Sequence, residues 1–478
     1  MPIFNVGSIV IQLVVFLTTL VNFHSALGHV EPIVLIGLYI LSKSSPPING
    51  YMTPREDYFM TGAEPGGCSS PQERRVFEAR QQYPNAESLA RMITDARRNS
   101  YAGKVSIRDR ICCYQWTWFT MTMATGGIAN VLHSIPFRSD WLYYIGLVFF
   151  LFNLCLFLLN CILITIRFCL VPGSFVHSFL DQTESLFIPA VIVSSALIMI
   201  NLCEYGLPYC GLWLQRVVQL FFWIYVAISF TFSAAMYLTL WSTQIFPIHM
   251  MTPIWVFPAY PLLLVAPFAS NLIKSVAQSE AGMLVNFTAI ALCAVTVQGT
   301  GFLISFMICA AFLYRLMTQK LPRDMQRPGV FISIGPSGFT CAGLVALGNQ
   351  SDLILPSDIP GREHAVYIIQ ILSVMLGLWM WGLSLWFFLV SVGSLHKYLH
   401  RENKMPFQIT WWSFVFPNTA LVTATIAMGN ALNNNGLKIF GCVMAALLIV
   451  VWFLVFVRMI KALWNREVLW PKGLEAEK

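Results

Sequence analysis

Long apolar stretches separated by short polar ones recur along most of the chain. From about residue 112 onward, ten of them reach the length of about 20 residues that a helix needs to cross a bilayer. Their continuity differs from the alternating pattern of a membrane β-barrel. The predicted spans are 115–135, 141–166, 187–206, 211–240, 253–274, 283–316, 328–348, 364–395, 409–431 and 436–462. We therefore predict an all-α polytopic membrane protein with ten transmembrane helices, in which successive helices are antiparallel neighbours.

The odd-numbered spans share a composition that the even-numbered spans lack. The seventh span reads "FISIGPSGFTCAGLVALG" and the ninth "FVFPNTALVTATIAMG", each with a proline followed by small and hydroxyl residues. The leading prolines of the third, fifth, seventh and ninth spans are Pro189, Pro258, Pro336 and Pro417, separated by 69, 78 and 81 positions. The first span has no proline but contains "ATGGIAN", and the even spans are bulkier. This repeat predicts five helical hairpins, with the small-residue helices inside and the bulky helices facing lipid.

Proline inside a helix frees a backbone carbonyl group and bends the helix. In hydrocarbon the freed group needs a partner, so broken helices occur where they meet other protein or line water. Close helix packing through small residues explains any single kink. Four kinks in register on alternate helices favour a central pore surrounded by the five small-residue helices.

Composition supports the membrane assignment and indicates an orientation. The chain is 57% hydrophobic and 11% charged, whereas a soluble domain is about a quarter charged. The net charge of +7 is concentrated in the termini and loops, a distribution that favours membrane orientation over nucleic-acid binding. Loops on the side of residue 112 hold eight lysines and arginines, against five on the opposite side. The positive-inside rule therefore places both flanks of the ten-helix unit in the cytosol.

Four segments divide the chain. Residues 1–42 are apolar, and a signal peptide, an eleventh helix and a helical hairpin all stay open for them. Residues 43–111 are polar and rich in Pro, Gly and mixed charge, which predicts a cytosolic, partly disordered segment. The ten-helix domain covers 112–465, and 466–478 form a cytosolic tail.

Side chains that carry chemistry are sparse in the spans. Glu204 and Arg216 lie near predicted helix ends, where an interfacial role is expected, and Gln298 is expected to bond a neighbouring helix or a substrate. His396 and His400 have the i,i+4 spacing of zinc ligands, but no third ligand follows, so we predict no metal site. The sequence contains neither HExxH nor GxSxG, and we predict no catalytic residue and no cofactor. The twelve cysteines include no CxxC pair and indicate reduced thiols.

Several motifs resemble one family. "YQWTWFTMTMATGGIANVL", "VQGTGFLISFM", "RPGVFISIGPSGFTCAGLVALG" and "WWSFVFPNTALVTATIAMGNALNNNG" resemble the fungal malic acid, or C4-dicarboxylate, transport proteins. These belong to the tellurite-resistance/dicarboxylate transporter family, together with fungal sulfite efflux pumps and plant slow anion channels. The resemblance covers about residues 108–465. The sequence departs from the family pattern at two positions. Ser337 replaces the second proline expected after Pro336, and Asn130 is polar where an apolar residue is expected after the glycine pair.

The resemblance implies a plasma-membrane protein, commonly a homotrimer, that moves malate and other C4-dicarboxylates through a pore in each protomer. It also implies that a phenylalanine crosses the pore, and the matching position is Phe416, with Phe414 close by. The expected pore-lining residues are Gly126, Gly127, Asn130, Ser194, Ser195, Gln298, Gly335, Pro336, Ser337, Thr340, Pro417, Thr419 and Thr423.

Protons are a possible second substrate, because the fungal carriers are described as proton-linked. The spans contain no central carboxylate, so coupling can act through protonation of malate itself, and neutralising Glu204 is expected to leave transport largely intact. Within the same family, a sulfite efflux pump or a slow-type anion channel is the alternative. A membrane scaffold or receptor is the alternative from another class, and a membrane enzyme is third.

Overall fold

The computed structural model describes residues 106–279, 285–399 and 405–470. The predictions for residues 1–42, for most of 43–111 and for most of the tail lie outside these ranges, as does His400. Within them the chain forms helices and turns and no β-strand.

Ten helices of at least 13 residues lie within the described ranges. They are α1 (Phe119–Ser134), α2 (Asp140–Leu170), α3 (Pro189–Tyr205), α4 (Leu212–Thr243), α5 (Val265–Ala277), α6 (Phe287–Gln319), α7 (Ile334–Asn349), α8 (Arg362–Ser394), α9 (Phe416–Ala431) and α10 (Asn435–Trp464). Shorter helices span Ile107–Cys112, Ser174–Leu180 and Ser351–Ile354.

Eight helical segments in the described ranges are long and apolar enough to cross a membrane. They are the five even-numbered helices and the segments that contain α3, α5 and α7. The all-α polytopic fold is thus confirmed. Helices α1 and α9, of 16 residues each, are not among the eight, so the prediction of ten spans stays a prediction for these two.

The odd-numbered helices form a closed ring. Along the ring α1 packs on α3, α3 on α5, α5 on α7, α7 on α9, and α9 returns to α1. Each also packs on the even-numbered helix that follows it, which gives five hairpins. The apolar windows of the segments containing α3, α5 and α7 are 72%, 94% and 89% buried, whereas those of the even helices are between 17% and 33% buried. We call the odd-numbered helices inner and the even-numbered helices outer.

Each inner helix is preceded by 3₁₀ turns, and this changes the predicted role of the prolines. The turns cover Trp116–Trp118, Ser185–Phe187, Pro253–Leu264, Asp324–Ser333 and Ile409–Phe414. Pro189, Pro336 and Pro417 are the first, third and second residues of α3, α7 and α9. Proline is tolerated there because the first N–H groups of a helix have no intrahelical partner. The predicted mid-helix kinks are therefore junctions between 3₁₀ and α-helical segments.

The fifth span departs from the predicted repeat. Pro258 lies inside the 3₁₀ segment Pro253–Leu264, together with Pro261. The residue that matches Pro336 in position is Pro267, the third residue of α5. The assignment of Pro258 as the leading proline of this span was wrong, because the sequence does not show where the 3₁₀ turns end.

Polar side chains of the outer helices bond backbone groups near these junctions. Tyr225 and Tyr237 of α4 donate to the carbonyl oxygens of Pro261 and Trp255, at 2.5 Å and 3.1 Å. Asn160 of α2 donates to Trp118 O at 3.1 Å, and Ser384 of α8 donates to Ile334 O at 3.0 Å. An unpaired backbone group in hydrocarbon costs several kcal/mol. The outer helices therefore stabilise the broken inner helices as well as facing lipid.

Candidate functional site

A cavity of about 340 Å³ opens where the inner helices end, and we call it the vestibule. All five inner helices reach its wall, which includes Asn130 of α1, Glu204 of α3, Lys274 of α5 and Thr423 of α9, with Gln350 directly after α7. Ligand pockets usually measure about 300–1,000 Å³, so the vestibule is suited to a small ligand.

Neutral polar groups dominate the hydrogen-bonding surface of the vestibule. Eight lining residues carry an amide or a hydroxyl group. Among the lining residues that the structure describes, Lys274 is the one lysine or arginine, and Glu204 is the one carboxylate. Hydrogen bonds from these groups and the positive charge of Lys274 can hold an anion. Because only one cation contributes, the anion is not bound tightly.

A cluster of aromatic side chains lies next to the vestibule. Phe339 lines the vestibule, and its ring centroid is 5.3 Å from that of Phe416. The Phe416 ring also packs against Tyr260, with centroids 5.7 Å apart, and Phe416 is 2% exposed. Phe416 also borders a gap, lined in addition by Thr120, Phe257 and Ser413, that has no room for a water molecule. Phe416 thus borders the gap and packs against Phe339, a residue that lines the vestibule.

The backbone around Phe416 is held by local hydrogen bonds. Phe416 is the first residue of α9 and precedes Pro417, whose ring fixes its own φ angle. The Thr419 hydroxyl donates to Phe416 O at 2.6 Å, and Asn418 Nδ2 donates to Phe414 O at 2.8 Å. The 3₁₀-to-α junction therefore fixes the backbone position of Phe416 within the ring of inner helices.

Four of the predicted site residues border these two spaces. Asn130 and Thr423 line the vestibule, and Phe416 and Pro417 line the gap. Phe414, the neighbouring candidate, packs against Phe331, with ring centroids 5.1 Å apart.

The predicted glycines and serines of the first, third and seventh spans lie at contacts between helices. A Cβ atom on Gly126 would lie 2.8 Å from Asn153 Nδ2, and one on Gly127 would lie 2.8 Å from the Thr419 side chain. The Ser194 hydroxyl is 2.7 Å from that of Thr122. Gly335 packs against the Tyr260 hydroxyl. Ser195 is the exception, because it donates to Ile192 O of its own helix, at 2.7 Å.

Gln298 and the hydroxyls of α7 form a second group of helix contacts. Gln298 of α6 accepts from Ala266 N at 3.2 Å and donates to the Thr340 hydroxyl at 3.0 Å. Thr340 donates to Pro336 O at 2.7 Å, and Ser337 donates to Ile334 O at 3.3 Å. Gln298 thus links α6 to α5 and α7, whereas the bonds that Thr340 and Ser337 donate stay within α7. The role of these residues as pore lining stays a prediction.

The comparison with known families assigns this architecture. Residues 113–460 match the model of the family described as SLAC1, voltage-dependent anion channel. The chain belongs to the SLAC1 family. This confirms the resemblance found in the motifs, since the chain is also similar to fungal malic acid transport proteins. As a member of the SLAC1 family, it is an integral membrane protein for anion transport.

Relatives of this SLAC1-family chain differ in the anion they are named for. It is 26% identical over 373 residues to the malic acid transport protein of Schizosaccharomyces pombe, covering 78% of this chain and 84% of the relative. It is 25% identical over 342 residues to the sulfite efflux pump SSU1 of Trichophyton rubrum, covering 71% and 88%. An uncharacterised transporter of Methanocaldococcus jannaschii is 24% identical over 368 residues, covering 75% and 97%.

The SLAC1-family vestibule contains a pair of residues that sequence reasoning did not bring together. Glu204 lies at a helix end, as predicted, but it is 3% exposed and lines the vestibule. Its Oε1 atom is 3.5 Å from Nδ1 of His133, which lies in the last turn of α1. The sequence contained one indication of this contact. Both residues occupy the last turns of odd-numbered spans, and these spans end at the same face of the ring.

Proposed function

We propose that this protein carries malate and related C4-dicarboxylates through the axis of the inner ring, with Phe416 closing the passage in the present conformation. The observation that supports this most is the position of the Phe416 ring, which packs against Phe339, a residue that lines the vestibule, and borders the narrow gap. In this proposal, movement of the Phe416 side chain opens the passage between the vestibule and the gap.

The electrostatics of the ring favour an anion at the level of Phe416. The 3₁₀-to-α junctions make the inner α-helices begin inside the protein, and the gap is lined by residues next to three of these starts, namely Thr120, Ile332 and Phe416. Helix N-termini carry a positive partial charge, which stabilises an anion placed near them. The same arrangement of broken helices is used for anionic substrates by other transporters.

The size and surface of the vestibule favour a small organic anion. Its volume of about 340 Å³ is at the low end of the range for ligand sites. Amides and hydroxyls on its wall suit carboxylate oxygens, and Lys274 supplies a cation. We propose transport and no catalytic activity for this site.

Labelled malate uptake into proteoliposomes tests the proposal with the full-length chain. Wild-type protein should take up malate above empty liposomes. The Phe416→Ala variant should raise the flux by about tenfold, which corresponds to a barrier lower by about 1.4 kcal/mol. The matched control is Phe440→Ala on the outer helix α10, where Phe440 is 43% exposed. Absence of uptake would contradict malate transport, and equal flux in the two variants would contradict the gate.

Sulfite efflux is a second candidate, supported by the similarity to the sulfite efflux pump SSU1 over 71% of this chain. Sulfite added in the malate uptake assay distinguishes the two. Weak competition by sulfite supports the dicarboxylate proposal, and sulfite flux without malate flux supports the alternative. Deleting residues 1–107 tests the scaffold hypothesis, because a transporter should keep its anion flux.

Localisation and assembly complete the proposal. We propose the plasma membrane, with the basic flanks of the helical domain in the cytosol, because the loop charges follow the positive-inside rule. In this orientation the vestibule opens to the outside. We also propose a homotrimer with one pathway in each protomer, and we propose that proton coupling acts through the charge state of the substrate.

A further inference from the structure

Two residues that line the vestibule each have a buried oxygen atom without a hydrogen-bond partner among the described residues. Glu204 Oε2 and Gln350 Oε1 are buried, and neither accepts a hydrogen bond from the residues that the structure describes. Both residues line the vestibule. The other polar atom of each side chain is already paired, because Glu204 Oε1 faces His133 and Gln350 Nε2 donates to Ser270 O at 3.0 Å. Each free atom is therefore an acceptor that only an added donor can satisfy.

The neighbours of Glu204 do not supply this donor. The charged and titratable groups around it are His133 on α1, Lys274 across the vestibule on α5, Cys203 and Tyr205 beside it on α3, and Arg138 and Tyr143 beyond them. The Tyr205 hydroxyl donates to Ala129 O at 2.9 Å, and Arg138 donates to His133 O at 3.2 Å. Both donors are thus directed to backbone carbonyls.

We propose that Glu204 and Gln350 select anions that carry their own hydrogen-bond donor, such as a hydroxyl or a protonated acid group, over anions that have none. This inference rests on the proposed function and assigns a substrate preference to the same vestibule. A carboxylate oxygen in the wall of an anion pathway repels any anion that offers it only lone pairs. A hydroxyl group on the anion replaces this repulsion by a charge-assisted hydrogen bond.

Malate and succinate differ in the group that this site would recognise. Both are four-carbon dicarboxylates, but malate carries a hydroxyl on its second carbon and succinate carries none. Lys274 and the amides of the vestibule can hold the carboxylates of either one. Glu204 lines the vestibule, and in this proposal its side chain turns Oε2 toward a bound anion, so that the malate hydroxyl can donate to it. We therefore expect malate to be preferred by about tenfold, the effect of one hydrogen bond to a charged group.

Competition uptake in proteoliposomes measures this preference. Labelled malate uptake by the full-length protein is titrated with unlabelled malate or succinate, and the ratio of their half-inhibitory concentrations is the readout. In Glu204→Gln the wall loses its charge and gains an amide donor, so malate should lose its advantage over succinate and the ratio of their half-inhibitory concentrations should approach one. Gln350→Met removes the second free acceptor at similar volume and should lower the ratio by a smaller factor.

The matched control is Glu363→Gln, because Glu363 lies in the first turn of α8, is exposed and does not line the vestibule. Its ratio should equal that of the wild type. Equal inhibition by malate and succinate in the wild type, or an unchanged ratio in Glu204→Gln, would overturn the inference while leaving malate transport intact. For a variant that transports too slowly for the uptake assay, the increase in melting temperature caused by malate or by succinate in detergent measures the same binding preference. Absence of malate uptake by every protein would instead refute the proposed function.

Discussion

Helices α7 and α8 form one hairpin, and they show two ways in which a membrane helix meets its surroundings. The segment containing α7 has an apolar window that is 89% buried, and that of α8 is 17% buried. Both helices contain glycine. A Cβ atom on Gly338 of α7 would lie 2.9 Å from the Ala420 carbonyl carbon, whereas one on Gly382 of α8 would meet nothing within 4 Å. Glycine is thus a packing requirement at Gly338, whereas at Gly382 it is sterically replaceable. Where α8 faces the inner ring, glycine is required again, because a Cβ atom on Gly377 would lie 2.4 Å from the Val345 side chain.

The two classes of helix also depend on each other. Each inner segment changes from 3₁₀ to α geometry within the interior of the protein. This change leaves backbone groups that need hydrogen-bond partners. Outer helices supply some of them, as Tyr237 of α4 does for Trp255 O, because Pro258, three residues after Trp255, has no N–H group. An outer helix therefore combines a lipid-facing surface with a few polar side chains directed inward, and those polar positions are as constrained as the inner glycines.

The largest effect should come from adding one methyl group to an inner glycine. Gly338→Ala places a Cβ atom against the backbone of α9, which cannot move without shifting the ring. We expect a loss of about 1–3 kcal/mol of stability, the usual cost of overpacking, measured by thermal denaturation in detergent. The matched outer substitution, Gly382→Ala, should be neutral or stabilise by up to about 1 kcal/mol. Equal losses in both variants would remove the distinction between the two classes.

The next effect concerns the polar groups that outer helices contribute. Tyr225→Phe removes the donor to Pro261 O and leaves that carbonyl buried. We expect destabilisation of about 1–2 kcal/mol from the unpaired carbonyl. Tyr314→Phe is the control, since Tyr314 of α6 is 66% exposed. If the melting temperatures of the two variants match, the outer helices do not stabilise the breaks in the inner ones.

The smallest effect should be electrostatic. Lys274→Gln removes a cation from the vestibule wall and should raise the KM for anion uptake about threefold at low salt, as expected for an exposed charge. Added salt should shrink the difference by screening. Lys438→Gln on the outer helix α10 changes a lysine that does not line the vestibule. A similar KM increase in that variant would show that general surface charge, and not the inner wall, attracts the anion.

The sequence predicted the division between inner and outer helices because composition differs strongly between them. Proline and small residues on alternate spans indicated a ring, and the closed ring of α1, α3, α5, α7 and α9 confirms it. The depth of each helix break was less well predicted. Pro258 and Pro267 are both prolines of one span, and only the hydrogen-bond geometry shows that Pro267 is the one at the α-helical start.

The vestibule chemistry was the hardest to predict. Glu204 and His133 are far apart in sequence and come together because the ends of α1 and α3 meet at one face of the ring. Their contact depends on helix rotation, which a sequence with nearly uniform apolar composition does not specify. The position of Gln350 in the vestibule wall was equally hard to predict, because this residue follows the last residue of α7 and its sequence context indicates a loop.

Cysteine accessibility tests most directly whether Phe416 separates two spaces along one axis. Thr423 lines the vestibule and Ser413 lines the gap beyond Phe416. A membrane-impermeant thiol reagent is applied from the side on which the Thr423→Cys variant reacts, with the unsubstituted protein as background. We predict that Ser413→Cys resists the reagent from that side and becomes reactive when combined with Phe416→Ala. Equal reactivity of Ser413→Cys with and without Phe416→Ala would contradict a passage closed by Phe416.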